Sequence, residues 1–384
     1  MRSWLGFLIL LVCANAGVPS ASAQTGLSVG PRGELLLSGT PYRGIGVNYY
    51  DLFIRTLAEP PNTNYEAGLA GLAELKIPFV RFSAGGYWPN EWDLYRTNKA
   101  DYFARFDKVV KSAERHRIGL IPSVFWMSST VPDLVREPVN RWGETNSRTH
   151  GFMVNYTREL VTRYLHSPAI WGWEFGNEYN LPADLPNASD HRPPVVPSLG
   201  TPAARSKDDD LTQEMVRTAL RAFAQEVRRL DDRRIIISGN AFPRVSAWHQ
   251  AAEKSWGHDT PEQFAQVLGA DNPSPINTLC VRAYDLATDL GRLPQAMAIA
   301  TSLQKPLFVG EFGVPGVTTE TSRNNFTTIL QSLETNQVPL AALWVFDFQG
   351  QADDWNVSLT NGRAWQLLEI QRANERIRKP TERQ

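Results

Sequence analysis

Cysteine is almost missing from this chain, which has two, Cys13 and Cys280. If the leading segment is removed, one thiol is left, so no disulfide framework can form and the fold depends on its apolar core. An excess of charge of either sign is missing as well. The 39 Lys and Arg oppose 40 Asp and Glu, for a formal net charge of −1. That balance exerts no pull on nucleic acid or anionic membranes and points to a neutral partner. The six histidines are scattered, without HExxH spacing or a cluster suited to zinc, so no metal is expected. No Gly-rich dinucleotide fingerprint follows a β-rich run and no solenoid repeat is visible, so no cofactor is expected either.

What is present begins with an export signal. Arg2 supplies a positive start, residues 5–12 form a short apolar run, and Ala21-Ser22-Ala23 offers a small-residue cleavage site. The run is too short to span a bilayer. A lipid anchor at Cys13 fits poorly, because bulky Val12 stands where a small residue is needed. The expected division is therefore a signal peptide over 1–23 and one mature domain over 24–384. The mature chain would be secreted or periplasmic, free of the membrane and monomeric. N-x-S/T sites at Asn155, Asn187, Asn325 and Asn356 matter only in a host that glycosylates.

Short β-rich runs recur along the mature chain at 42–50, 79–83, 119–125, 170–175, 234–238, 278–284, 307–312 and 341–348. Several are apolar on both faces, as strands are when helices cover one side and packed side chains fill the other. Amphipathic stretches such as 102–115, 152–165 and 211–230 lie between them. Eight such β/α alternations predict an α/β fold, a single (β/α)8 TIM barrel with extended βα loops. The Pro-rich segment 181–210 follows the fourth run and is read as a long βα loop on the active face. A second stretch, 241–269, is read as irregular and carries Trp248 and Trp256.

Strand exits are where a barrel gathers its chemistry. Glu178 stands at the exit of Trp173-Glu174-Phe175-Gly176-Asn177-Glu178, and Glu311 at that of Phe308-Val309-Gly310-Glu311-Phe312-Gly313. These two motifs, in this strand order, resemble the catalytic signatures of glycoside hydrolase family 5, and the likeness runs from about Tyr42 to Trp365. The resemblance implies a retaining clan in which Glu178 is the general acid/base and Glu311 the nucleophile. It further implies that Arg81 hydrogen-bonds the nucleophile and favours its charged form. Asn177 would bind the sugar 2-hydroxyl, Tyr284 would donate to the nucleophile, and Trp344 would form the platform at the cleavage point. Two positions depart from the family. Arg282 stands where the family has His, and an added cation there would favour ionised Glu178, whereas an acid catalyst needs a raised pKa. Phe125-Trp126 replaces the His at the third exit and resembles mannanase-like members.

Each of these residues has a blander rival. Glu174 lies about 13 Å down the strand from Glu178 at ~3.3 Å per residue and is read as a structural carboxylate. Asp285 and Asp347 rival Glu311 but sit in no matching motif. Of the 12 tryptophans, Trp171 and Trp173 precede a strand exit and are read as core. Trp88, Trp126, Trp248, Trp256 and Trp355 lie at or beyond exits and are candidates to line a sugar cleft. The resemblance implies double displacement on a neutral β-1,4-linked oligo- or polysaccharide, mannan or glucan, with Trp126 favouring mannan. An exo-acting β-mannosidase or β-glucosidase, and a non-catalytic carbohydrate-binding barrel, stay open as alternatives.

Overall fold

Residues 26–378 are described by the computed structural model; the expected signal over 1–23 lies outside the described residues. Eight parallel strands form one sheet: β1 (Gly44–Asn48), β2 (Phe79–Ser83), β3 (Gly119–Phe125), β4 (Gly172–Gly176), β5 (Ile235–Ile237), β6 (Leu279–Ala283), β7 (Leu307–Phe312) and β8 (Leu340–Leu343). Neighbours run β5-β4-β3-β2-β1-β8-β7-β6, so the sheet curls until its two ends meet. A single bridge between Ile237 and Thr278 joins those ends. With helices between the strands, the architecture is the expected (β/α)8 barrel.

Alternation along each strand sorts its side chains. In β2, Val80 and Phe82 face the helices, and in β6 Leu279, Val281 and Ala283 do the same, all in the main apolar core. Phe79, Ile121, Ile235, Ile237, Cys280, Phe308 and Leu340 point inward and pack as a separate cluster in the barrel's lower interior. A small antiparallel meander from Leu27 to Pro41 closes that end, with Leu27 and Leu35 in the same cluster.

The helices follow from local signals. Gln213–Leu230 starts at Thr212, whose side chain accepts the Met215 N–H, and it buries Val216, Ala219, Leu220, Phe223 and Val227. Two expectations fail. The stretch 241–269 is not irregular but holds helices Ala247–Glu253 and Pro261–Ala270. A readable start signal was there, because Thr260 and Gln263 form a reciprocal capping box with Pro261 at the first position. The run 341–348 also ends early as a strand, at Leu343, and Trp344 and Phe348 beyond it turn into the mouth of the barrel, while Phe346 stays in the main core. Among the described residues no helix is long and apolar enough to cross a membrane.

Candidate active site

Above the apolar plug the barrel interior changes character. Asn48, Arg81, Ser123, Glu174, Arg282 and Glu311 are all buried, on strands β1 to β4, β6 and β7. A layer of buried charge costs stability unless it is closely paired, and this one is. Arg81 donates Nε to Glu174 at 2.5 Å, Nη1 to Asn48 at 2.9 Å and to Glu311 at 2.8 Å, and Nη2 to Asn177 at 2.9 Å. Glu174 is therefore the structural carboxylate expected of it, an anchor beneath Arg81.

Glu311 reaches this layer through a backbone irregularity. Strict alternation would put it on the side of Val309, facing the helices. In the pairing with β6, however, Val309 stands opposite Val281 and Glu311 opposite Arg282, so Gly310 is an extra residue. This bulge turns Glu311 inward. Glycine leaves Arg282 its place, because a Cβ at 310 would lie 2.1 Å from Arg282 Nη1 and displace the guanidinium. The Glu311 carboxylate then accepts from Arg81 and, at 2.6 Å, from the Tyr284 hydroxyl.

Glu178 lies two residues past the end of β4, at φ +55°. Its N–H donates to the Gly239 carbonyl at 2.9 Å, which fixes the turn against β5. Burial, then the negative charge of Glu311, pushes the Glu178 carboxyl up to about 7, while Arg282, Arg81 and Arg244 pull the other way. Arg282 thus acts in the direction feared from the sequence but does not prevail. Its Nη2 donates to Asn177 at 2.9 Å and to Gly239 at 2.7 Å. Its Nε lies 3.2 Å from Glu311 and 3.9 Å from Glu178, without an aligned hydrogen bond to either. Burial alone would depress the Arg282 guanidinium, but Cys280 and the surrounding carboxylates raise it. Asn177 Oδ1 is held by two guanidinium groups, which leaves its Nδ2 as the end available to a ligand.

A cleft of about 510 Å3 opens over this layer and contains Glu178, Glu311, Asn177 and Tyr284. Its walls are aromatic. Trp126 and Trp344 are stacked with ring centres 5.9 Å apart, Trp88 and Trp355 also line it, and Trp344 Nε1 is held by Gln351 at 2.8 Å. Arg81 lies under the Trp126 ring at 4.3 Å. All eight site residues singled out in the sequence are gathered here, seven on the cleft wall and Arg81 immediately below. Trp248 and Trp256 are not. Trp248 belongs to a helix and packs on His249, and Trp256 is 53% exposed on the outside. Asp285 is exposed and caps the turn before Thr288, and Asp347 pairs with Tyr49 and Arg55, so neither rivals Glu311. The sequence reading missed Tyr50, Tyr87, Phe348 and Gln351 on the cleft wall. Tyr50 was within reach, since it closes the first β-rich run. Among the described residues no group of three or more His, Cys, Asp or Glu is placed to hold a metal ion.

No family model matches the sequence, and no curated protein does. Solved structures do share the fold. An endo-1,4-β-mannanase from Rhizomucor miehei superposes with a TM-score of 0.66 at 15% identity, over 93% of this chain and 100% of that one. A glycoside hydrolase family 5 mannosidase from the same organism gives 0.61 at 12%, covering 93% and 99%. An exo-β-1,4-mannosidase from Opitutaceae bacterium strain TAV5 gives 0.62 at 17%, covering 92% of this chain and 64% of its own. The barrel is thus of the kind found in family 5 glycoside hydrolases.

Proposed function

We propose that this chain is a retaining β-glycoside hydrolase of the mannanase type, exported from the cytoplasm, with Glu178 as acid/base and Glu311 as nucleophile. The observation that carries the reading is the pairing of two unlike carboxyl groups in one aromatic cleft. Glu178 holds its proton to about pH 7, while Glu311 is gripped by Arg81 and Tyr284. Both carboxylates approach Arg282 Nε, which caps their nearest oxygen–oxygen gap at about 7 Å, below most of the roughly 6.5–9.5 Å range of an inverting pair and compatible with the roughly 5–5.5 Å of a retaining one. The mannanases and mannosidases that share the fold favour a β-1,4-mannan over a glucan.

In the first step a Glu311 oxygen attacks the anomeric carbon, the bond to the leaving oxygen breaks, and Glu178 gives that oxygen its proton. In the second, Glu178 takes a proton from water, the water oxygen attacks the same carbon, and Glu311 is released as carboxylate. Asn177 Nδ2 is the donor suited to the 2-hydroxyl, and the stacked indoles of Trp126 and Trp344 are suited to the ring. An exo-acting β-mannosidase is a second reading, favoured by the exo-β-1,4-mannosidase among the structures that share the fold.

The deciding experiment is a reducing-sugar assay of the mature chain on soluble β-mannans and β-glucans. Release of reducing ends from mannan is expected. Glu311→Ala should lose on the order of 10⁴–10⁶-fold in kcat. Glu178→Ala should lose about 10²–10⁴-fold and recover with azide, which needs no base to attack the glycosyl ester. An inverted anomer in the first product, followed by NMR, would overturn the mechanism. Binding that survives Glu311→Gln, with no turnover by the parent protein, would instead identify a carbohydrate-binding barrel.

A further inference from the structure

Glu178 belongs to two cavities, and only one of them contains Glu311. The second, of about 330 Å3, shares Tyr87, Trp126, Asn177 and Glu178 with the aromatic cleft but reaches neither Glu311 nor Tyr284. Its far wall is the segment that follows β4, including Leu181, Pro182, His191, Arg192 and Pro193. A double displacement assigns the two sides of Glu178 different contents. The sugar under attack must lie over the nucleophile, and the departing group must lie on the other side of the acid that protonates it.

From this placement we infer that the cavity behind Glu178 is the leaving-group site, and that the segment 181–210 limits that group to one or two sugar residues. The inference rests on the hydrolase reading above and deepens it. The volume is near the lower end of the roughly 300–1,000 Å3 of small-ligand pockets, and the 181–210 segment stands across the side away from Glu178, which leaves room for a short leaving group. The wall is anchored rather than loose. Arg205 pairs with the buried Asp133 at 2.6 Å, and Asp184 accepts the Gln213 N–H at 2.8 Å and the Lys254 ammonium at 2.7 Å. On the cavity wall itself, Arg192 and Asp210 form a two-pronged pair, Nε to Oδ1 at 2.6 Å and Nη2 to Oδ2 at 3.1 Å. Such a pair presents spare donors and acceptors to vicinal hydroxyls, while Leu181 and the prolines offer the apolar surface that a sugar face needs. An enzyme so built shortens its substrate from the reducing end. An exo-mannosidase of the usual sense needs the opposite closure, on the nucleophile side.

The test uses β-1,4-mannooligosaccharides of three to six units, labelled with ¹⁸O at the reducing end, beside dinitrophenyl β-mannoside. The parent protein should cleave at the first or second bond from the labelled end whatever the length. Arg192→Ala should lose roughly tenfold in kcat/KM on the oligosaccharides, the size of a lost hydrogen bond to a charged group. On dinitrophenyl β-mannoside it should stay within about twofold, because that leaving group needs neither the pocket nor a proton. Retained aryl-glycoside turnover also shows that the variant is folded, and Asp210→Asn should repeat the pattern. Cleavage scattered over interior bonds, or equal losses on both substrates, would overturn the inference and leave the hydrolase reading standing. No turnover of either substrate by the parent protein would remove the hydrolase reading, and this inference with it.

Discussion

A guanidinium 3.2 Å from one carboxylate and 3.9 Å from another acts on both. Arg282 lowers the proton affinity of Glu178 and, through Nη2, holds Asn177 and the Gly239 carbonyl. Its replacement by Gln should move the basic limb of the kcat/KM profile to higher pH, because a lowering influence on the acid is gone. It should also slow turnover by roughly 10²-fold, as expected of a site displaced by near an ångström. Gly310→Ala should reproduce both effects without touching a charge, since its methyl would strike Arg282. A limb that does not move in either variant would show that Arg282 only packs. In the parent protein the sign is fixed by chemistry. The acid must carry its proton, so kcat/KM should fall about tenfold per unit above the Glu178 value of about 7. At this scale the sequence spoke clearly, because each motif couples a residue type to a strand exit. What it could not reveal was the direction of Glu311, for an alternating pattern places that side chain on the helix-facing side.

Among the elements, the last helix has a task its amphipathic pattern does not advertise. The ladder between β1 and β2 pairs Val47 with Val80 and Asn48 with Arg81, but does not extend back to Ile45. Asn374, on helix Trp365–Arg378, fills the gap. Its Oδ1 accepts the Ile45 N–H and its Nδ2 donates to the Ile45 carbonyl, both at 2.8 Å. Asn374→Ala leaves two buried backbone groups unpaired and should cost about 3 kcal/mol, read from the denaturant midpoint. A loss below about 1 kcal/mol would show that water replaces the amide. The strands themselves were legible from sequence, three of them to the residue, because buried parallel strands are compact apolar runs between polar helices. The helices inside 241–269 were obscured by their shortness and by the glycine and polar residues between them.

For the whole molecule, the seam between β5 and β6 is the weak line of the barrel. Between the strands themselves it has one bridge and the bonds of Asn277, which accepts the Ile236 N–H through Oδ1 at 2.8 Å and returns its own N–H to the Ile236 carbonyl at 3.2 Å, with Arg282 Nη2 reaching the Gly239 carbonyl above them. Hydrogen exchange should therefore be faster in Ile235–Ile237 than in Gly119–Phe125, and Asn277→Ala should widen the difference. Uniform protection around the barrel would contradict this. The amino-acid sequence by itself determined the number and order of β/α units and the two glutamates at the exits of the fourth and seventh strands. Local patterning and short motifs carry both kinds of information. Tertiary structure alone decided the bulge that aims Glu311, the balance of Arg282 between two carboxylates, and which side of Glu178 the long segment closes. Each of these depends on partners brought together from separate β/α units or on a register between strands, and neither is written in any local stretch of chain.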